Sequence, residues 1–259
     1  MNILDTIIAH KKKEVAERKA QTGIAGLEKS EHFSRPTLSL KQYLLDGSKT
    51  GIIAEFKRKS PSKGIINANA DVTEVTSAYA RHGASGLSVL TDEQFFGGSA
   101  DDFSKARINT VPLLRKDFMI DEYQVVEAKA MGADVILLIA ACLTPAEVKS
   151  LAAFAQKLQL EVLLELHAEE ELEYICEEID LVGINNRNLK TFEVNIERSL
   201  QMAARVPFDK VKIAESGISS VENIQLFKQH GFRGFLIGEN FMKTADPGNA
   251  FREFAEQLK

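Results

Sequence analysis

Side chains that could exchange protons stand at the end of an apolar run near residue 55. The stretch from residue 52 to residue 64 reads IIAEFKRKSPSKG and begins like a buried strand. Glu55 and Lys57 are two residues apart, so on a strand both point to the face that Ile53 begins. A carboxylate and an ammonium on one face can accept and donate protons, which indicates acid–base chemistry.

The elements that must position these groups alternate along the chain. Beyond residue 50, short β-rich runs are followed by longer stretches with helical periodicity. Most of the short runs are apolar until their last few residues, as expected for parallel strands that are covered on both faces. The predicted strands span residues 51–57, 86–91, 111–117, 134–140, 161–167, 181–186, 212–216 and 234–239.

This alternation predicts an α/β fold, specifically a (β/α)8 TIM barrel in a single domain of residues 1–259. An open doubly wound sheet is the competing architecture, but no GxGxxG motif follows the first strand. Residues 1–45 stand outside the repeat and are expected to form a helical extension packed against the barrel. The clearest helices between strands are predicted for residues 71–83, 121–132 and 144–159.

Polar residues fall at the ends of six of the predicted strands. In a barrel of this kind the active site lies at the carboxyl ends of the strands. The alternative is a structural network of ion pairs that caps the barrel. The residues concerned are Glu55, Lys57, Arg115, Lys116, Asp117, Glu165, His167, Asn185, Asn186, Arg187, Glu215, Ser216, Gly238 and Glu239.

Two glycines after the last two strands favour a phosphate site. Gly217 lies in AESGI and Gly238 in LIGEN. A phosphate group in such barrels is often held there by backbone N–H groups, and glycine lets the backbone approach it closely. Glu239 follows directly, and its carboxylate would repel phosphate. We therefore expect its backbone N–H to be used and its side chain to point away.

Composition excludes several classes of protein. A formal charge of −5 argues against a nucleic-acid partner, and no apolar run is long enough to span a membrane. The N-terminal stretch is not a secretory signal, and two cysteines without metal-like spacing fit a reducing cytoplasm. Leu4, Ile7, Ile8 and Val15 predict an amphipathic helix over the barrel. The lysines at 11–13, with Glu14 and Glu17 beside them, are interpreted as its solvated face.

Four stretches carry a resemblance to a known family. AEFKRKSPSKG, LRKDF, GINNRNL and AESGI resemble, at matching spacing, the indole-3-glycerol-phosphate synthases of tryptophan biosynthesis. The similarity covers nearly the whole chain. It implies ring closure, decarboxylation and dehydration of 1-(2-carboxyphenylamino)-1-deoxyribulose 5-phosphate, with no metal or cofactor. We expect a monomeric cytoplasmic enzyme with a small phosphorylated substrate.

The resemblance also implies a role for individual residues. Lys116 matches the general acid of ring closure, Glu165 the acid or base of dehydration, and Lys57 a second lysine that neutralises substrate anions. Other matching residues orient the substrate (Glu55, Asn185, Glu215, Ser216), handle its aromatic carboxylate (Ser60, Arg187), surround its ring (Phe96, Phe118, Leu137) or contact its phosphate (Gly217, Gly238, with the Glu239 backbone).

Some questions stay open at the level of sequence. A second lysine nearby lowers the pKa of Lys116, whereas glutamates raise it, and the balance cannot be read from sequence. His167 shares a strand face with Glu165 and either takes part in catalysis or caps the following loop. Rival functions are a phosphosugar isomerase, an aldolase in which Lys116 forms a Schiff base with a ketose phosphate, and a catalytically inactive phosphosugar-binding barrel.

Overall fold

Eight parallel strands close into a barrel in the computed structural model of the chain, which describes residues 3–188 and 193–258. Each strand pairs with the next one along the chain, and the eighth closes on the first, so the predicted (β/α)8 barrel is confirmed. The strands are β1 (Ile52–Phe56), β2 (Gly86–Leu90), β3 (Leu113–Lys116), β4 (Val135–Ile139), β5 (Glu161–Leu166), β6 (Leu181–Asn185), β7 (Val211–Glu215) and β8 (Phe232–Ile237).

Helices precede the barrel and follow most of its strands. A 3-10 helix, Glu169–Tyr174, stands between β5 and β6, and another, Ala140–Cys142, follows β4. A short antiparallel hairpin pairs Lys59–Ser60 with Gly64–Ile65 in the loop after β1. The α-helices are α1 (Ile3–Gln21), α2 (Ile24–Leu27), α3 (Leu40–Leu45), α4 (Val72–Arg81), α5 (Glu93–Phe96), α6 (Ala100–Ala106), α7 (Glu122–Ala130), α8 (Pro145–Lys157), α9 (Ile196–Ala203), α10 (Val221–Gln229), α11 (Glu239–Met242) and α12 (Pro247–Glu256).

The three helices predicted most clearly between strands are confirmed as α4, α7 and α8. Each begins at a side chain that accepts a hydrogen bond from a backbone N–H of the first turn: Asp71, Asp121 and Thr144. Such caps satisfy donors that a helix leaves unpaired at its start. The glycines that follow α4 and α7 adopt positive φ, 98° at Gly83 and 86° at Gly132, which ends each helix and turns the chain into the next strand.

The apolar core has two parts. One lies between the barrel and its surrounding helices, and the other fills the barrel interior with residues such as Leu114, Leu163 and Ile213. Leu40 and Leu44 of α3 join this interior cluster from the end at which the strands begin. Within the described parts of the chain these leucines close that end of the barrel, and the room for a site lies where the strands finish.

The N-terminal extension consists of α1, α2 and α3, as predicted. Ile7 and Val15 of α1 are buried, which confirms the apolar face of this helix. The interpretation of residues 11–13 as a solvated face is wrong for Lys11, whose exposed fraction is 0%. Lys12 and Lys13 are exposed. Across the described parts of the chain, none of the helices combines the length and apolarity that a membrane crossing needs.

Candidate active site

A pocket opens at the carboxyl ends of the strands. Its floor and walls come from β1, β3, β4, β5, β6, β7 and β8, from the loops that follow them, and from the start of α1. The predicted site residues that line it are Glu55, Lys57, Ser60, Phe96, Lys116, Phe118, Glu165, Asn185, Arg187, Glu215, Ser216, Gly217, Gly238 and Glu239.

Leu137 does not line this pocket. It is 1% exposed and packs inside the barrel, in the same cluster as Leu114 and Leu163. β4 runs two residues further before it reaches the pocket floor, and Ile139 contributes the apolar contact there. The prediction that Leu137 faces the site is therefore wrong, and the residue of β4 that lines the pocket is Ile139.

Glu55 and Lys57 form an ion pair at the end of β1. Lys57 Nζ lies 2.5 Å from Glu55 Oε1, and Ser88 Oγ on the neighbouring strand β2 lies 3.4 Å from Glu55 Oε2. Glu55 is 3% exposed, whereas the Lys57 side chain is 19% exposed. The carboxylate is thus fixed within the barrel rim, and the ammonium reaches towards the open pocket.

A second ion pair crosses the pocket from β3 to β5. Lys116 Nζ lies 3.0 Å from Glu165 Oε2, and Asn185 of β6 donates to Glu165 Oε1 at 2.9 Å. His167 Nε2 also lies 2.9 Å from Glu165 Oε1. Glu165 is therefore held from three sides, which fixes its carboxylate beside the Lys116 ammonium.

The charges in this cluster set the protonation states of the lysine and its partner. Burial lowers the pKa of Lys116, but the carboxylates of Glu165, Glu215 and Glu55 outweigh it, so the pKa lies above its usual value. Burial raises the pKa of Glu165, but Lys116 and then His167 outweigh burial, so the pKa lies well below its usual value. The sequence left open whether the effects that lower the pKa of Lys116 or those that raise it are larger. The structure favours a protonated Lys116 and an ionised Glu165.

The pKa of Glu215 on β7 is displaced in the opposite direction to that of Glu165. Burial, and then the nearby Glu165 carboxylate, raise the pKa of Glu215 well above its usual value. Its side chain lies over Gly183, where an added Cβ would stand 2.0 Å from Glu215 Oε1. Two carboxyl groups in one pocket therefore have pKa values displaced in opposite directions, an arrangement that suits one to act as a base and the other as an acid.

The two glycines predicted to bind phosphate both lie in the pocket wall. Gly217 has a φ of 69°, and the preceding Ser216 has a φ of 65°, so the chain turns sharply after β7. Gly238 precedes the short helix α11. An added Cβ at Gly217 would meet Val194 at 2.4 Å, and one at Gly238 would meet Glu55. Both glycines are thus required by the packing of the protein's own side chains, whatever they bind.

Glu239 lines the pocket and is paired with two cations. Its carboxylate lies 3.6 Å from both Lys63 Nζ and Arg187 Nη2. These two basic residues come from the loops after β1 and β6, and they offset the charge that would otherwise repel an anion. The expectation that an anion meets the Glu239 backbone N–H while the side chain points away stays a prediction.

Aromatic and aliphatic side chains form an apolar part of the pocket wall. The rings of Phe96 and Phe118 lie 5.9 Å apart between centroids and are inclined by 40°. Ile3, Leu4 and Ile7 of α1 complete this wall. A flat aromatic ligand would fit such a surface, in the same pocket as the carboxylates and lysines.

Sequence reasoning missed several lining residues. Leu4 and Ile7 belong to the predicted apolar face of α1. That pattern predicts a buried face, but it does not show that the first residues of the helix reach the pocket. His167 was left undecided, and its Nε2 lies 2.9 Å from Glu165 Oε1, which places it beside the Lys116–Glu165 pair. The other missed residues are Ile3, Pro61, Ser62, Ile139, Ile218, Leu236, Ile237 and Asn240.

The fold and this pocket define an acid–base enzyme built on a (β/α)8 barrel. No group of three or more His, Cys, Asp or Glu side chains within residues 3–188 and 193–258 is arranged to hold a metal ion. Residues 4–254 match the family model described as indole-3-glycerol phosphate synthase. The chain belongs to this family and is a carboxy-lyase of tryptophan biosynthesis.

Curated relatives agree along the full length. An indole-3-glycerol phosphate synthase of Bacteroides thetaiotaomicron is 49% identical over 100% of this chain and 99% of its own. The Polaromonas sp. (strain JS666) protein of the same name is 44% identical over 97% of each. The Bordetella pertussis one is 42% identical over 95% of this chain and 96% of its own.

Similar solved structures show the fold alone. A 3-hexulose-6-phosphate synthase from Salmonella typhimurium has a TM-score of 0.63 at 13% identity and covers 80% of this chain and 97% of its own. A thiamine phosphate pyrophosphorylase from Pyrococcus furiosus has a TM-score of 0.59 at 15% identity and covers 85% of this chain and 99% of its own.

Proposed function

We propose that the chain closes the indole ring of 1-(2-carboxyphenylamino)-1-deoxyribulose 5-phosphate, with Lys116 as the acid and Glu165 as the base. The observation that carries this proposal is the buried Lys116–Glu165 pair, whose charged atoms lie 3.0 Å apart in the pocket. The pKa of Lys116 is raised and that of Glu165 is lowered, so the pair enters the reaction as a protonated lysine and an ionised glutamate.

In the first step Lys116 donates its proton to the ketone oxygen of the substrate. The ring carbon that bears the carboxylate attacks the ketone carbon, so a carbon–carbon bond forms and the carbonyl becomes a hydroxyl. Charge develops on that oxygen only as the bond forms, and a fixed ammonium stabilises it without reorganisation. The bond to the carboxylate then breaks, CO2 leaves, and its electron pair restores the aromatic ring.

In the second step the new hydroxyl leaves as water. Lys57 donates the proton that the departing hydroxyl needs, and Glu165 removes a proton from the neighbouring carbon. The proton on Glu165 can return to Lys116 across their 3.0 Å contact. One proton from solvent restores Lys57, so the cycle consumes one proton for each carboxylate that is lost.

The substrate fits the pocket in one direction under this proposal. Its aromatic ring lies against Phe96 and Phe118, and its carboxylate faces Arg187, Ser60 and Lys57. Its phosphate lies at the backbone of Gly217, Gly238 and Glu239. The 5.9 Å separation of the phenylalanine rings supports the first placement, and the turn at Gly217, with its φ of 69°, supports the last.

An aldolase mechanism is disfavoured by the charge state of Lys116. A Schiff base forms only from a neutral amine, whereas the surrounding carboxylates raise the pKa of this lysine. The proposed mechanism uses the protonated form. Glu55, Asn185, Glu215 and Ser216 then orient the reacting groups around the pair.

We further propose that residues 1–259 form one domain with 1–45 as its extension, and that this domain acts as a cytoplasmic monomer without a nucleic-acid partner. The net charge of −5 and the two free cysteines support these assignments. Sedimentation equilibrium of the purified chain at micromolar concentration tests the monomer, because a mass near twice 28.7 kDa would contradict it.

The activity itself is tested with purified protein and the carboxyphenylamino-deoxyribulose phosphate. Indole-3-glycerol phosphate should appear as increasing indole fluorescence, with equimolar release of CO2. Cyanoborohydride at neutral pH reduces iminium ions but spares the substrate ketone, so its addition during turnover should leave activity intact. If cyanoborohydride instead traps substrate on Lys116 and no indole forms, the aldolase alternative is correct.

A further inference from the structure

Lys11 is buried on a helix whose neighbouring lysines face solvent. It is 0% exposed, although it stands midway along α1, which carries Ile3, Leu4 and Ile7 into the pocket wall. Ile7 is one turn before Lys11, so the two side chains share one helix face. The charge is therefore turned towards the barrel on the same side as the residues that line the pocket.

Three carboxylates surround the Lys11 ammonium. Its Nζ lies 2.8 Å from Glu14 Oε2, 2.9 Å from Asp117 Oδ1 and 3.1 Å from Asp92 Oδ2. Glu14 belongs to α1 itself, whereas the two aspartates belong to the barrel. Burying an ammonium is costly, and this cost is offset only where good partners meet it.

The two aspartates hold the aromatic wall. Asp92 accepts a hydrogen bond from Phe95 N at 2.8 Å and so caps α5, whose last residue is Phe96. Asp117 accepts one from Phe118 N at 2.8 Å and follows Lys116 in the chain. Lys11 thus contacts the two carboxylates that fix the segments of Phe96 and Phe118.

Further charged side chains surround Lys11 and its three carboxylates and offset their charges. Arg115 Nη2 lies 3.1 Å from Asp117 Oδ2 and 2.6 Å from Glu127 Oε2, and Arg18 contacts both Glu14 and Glu127. Asp117 therefore keeps a cation if Lys11 is removed. Among the described residues, Lys11 is the only cation that forms an ion pair with Asp92.

We propose that Lys11 is a positioning residue for substrate specificity, because it joins α1, the Phe96 segment and the Phe118 segment into one wall around an aromatic carboxylate ligand. An apolar residue such as Val15 would seat the helix equally well by burial. The ion pairs of Lys11 with Asp92 and Asp117 also fix the position of α1 relative to the Phe96 and Phe118 segments. The inference rests on the proposed placement of the aromatic ring beside Phe96 and Phe118.

The test compares Lys11→Met with Lys13→Met, an exposed lysine on the same helix. Lys11→Met should raise KM by about tenfold while kcat changes less than about threefold, because the Lys116–Glu165 pair stays in place. Lys13→Met should leave both constants unchanged. Because Lys11→Met leaves Asp92 buried without its cation and can impair folding, the double variant Lys11→Met/Asp92→Asn is measured as well. Asparagine still caps a helix, so α5 is kept.

Two competitive probes separate positioning from general loosening. Anthranilate should report the aromatic wall, and inorganic phosphate should report the glycine end of the pocket. In the double variant the inhibition constant of anthranilate should rise by the same factor as KM, while that of phosphate should not change. If both constants rise together, or neither rises, Lys11 has only a structural role. If neither probe inhibits the unaltered enzyme, the proposed placement of the substrate is wrong.

Discussion

Glu55 fills the space in which residue 238 would carry a side chain. A Cβ on Gly238 would lie 2.7 Å from Oε1 and 2.9 Å from Cβ of Glu55. Glu55 in turn holds Lys57 Nζ at 2.5 Å. The glycine at the end of β8 therefore determines where the ammonium at the end of β1 stands, in addition to any contact with phosphate.

Gly238→Ala should displace Glu55 and, with it, Lys57. We expect kcat to fall by about tenfold to a hundredfold, since small displacements of positioned groups cost rate on this scale. Gly47→Ala is the matched control, because an added Cβ there meets nothing within 4 Å. Steady-state kinetics of both variants decide the point, and a change in KM alone would show that residue 238 acts only through phosphate.

Lys116→Met should lose about 10²–10⁴ in kcat, the usual contribution of a positioned proton donor. Substrate should still bind, because its phosphate and carboxylate are held elsewhere. Lys57→Ala should instead raise KM as well as lower kcat, since its ammonium reaches into the pocket from the rim. If Lys57→Ala abolishes turnover while Lys116→Met retains it, the acid stands on β1 and the two roles are exchanged.

Glu165→Gln should affect the later half of the reaction. The amide keeps the size of the carboxylate and can still contact Asn185, but it cannot take a proton. Single-turnover experiments should show CO2 release before indole appears, with a ring-closed and decarboxylated intermediate in between. Simultaneous loss of both products would place Glu165 in ring closure instead.

Gly217→Val should raise KM strongly and weaken competition by inorganic phosphate. The backbone at residue 217 has a φ of 69°, which disfavours any branched side chain, and a Cβ would stand 2.4 Å from Val194 Cγ1. Gly47→Val serves as the control. Unaltered inhibition by millimolar phosphate in Gly217→Val would move the phosphate site away from the turn after β7.

Stability should fall in acid through Asp117. Burial raises the pKa of Asp117, but Arg115, Lys11 and Thr91 outweigh it and hold the pKa at about 2, compared with a usual 3.8. A carboxyl whose pKa is depressed on folding stabilises the protein above its unfolded pKa and loses that contribution as pH falls. The free energy of unfolding should therefore drop by on the order of 2 kcal/mol between pH 4 and pH 2. The free energy of unfolding of Asp117→Asn, measured by urea titration at each pH, should fall less steeply between pH 4 and pH 2. An unchanged dependence on pH would assign the acid destabilisation to other carboxyl groups.

The strand ends were predictable from sequence because a parallel barrel brings them together whatever the loops do. Glu55, Lys116, Glu165 and Glu215 could therefore be placed in one pocket from their positions alone. Contacts made across long distances in the chain were not predictable. The burial of Lys11 depends on Asp92 and Asp117, which lie far along the sequence, and periodicity on one helix carries no information about them. Leu137 was misplaced for a related reason, because sequence does not fix how far a strand runs before its side chains reach solvent.

The first 45 residues divide into two parts that affect different properties. α1 forms a wall of the substrate pocket, whereas Leu40 and Leu44 of α3 fill the opposite mouth of the barrel. Gly86 and Gly234 have no side chain where these leucines enter, since an added Cβ would lie 2.7 Å from Leu40 and 3.1 Å from Leu44. Removing residues 3–21 should therefore weaken substrate recognition, while Leu40 and Leu44 still exclude water from the barrel interior. Removing the whole extension should also admit water to the interior, so thermal stability and specificity can be altered separately within a single short segment of this chain.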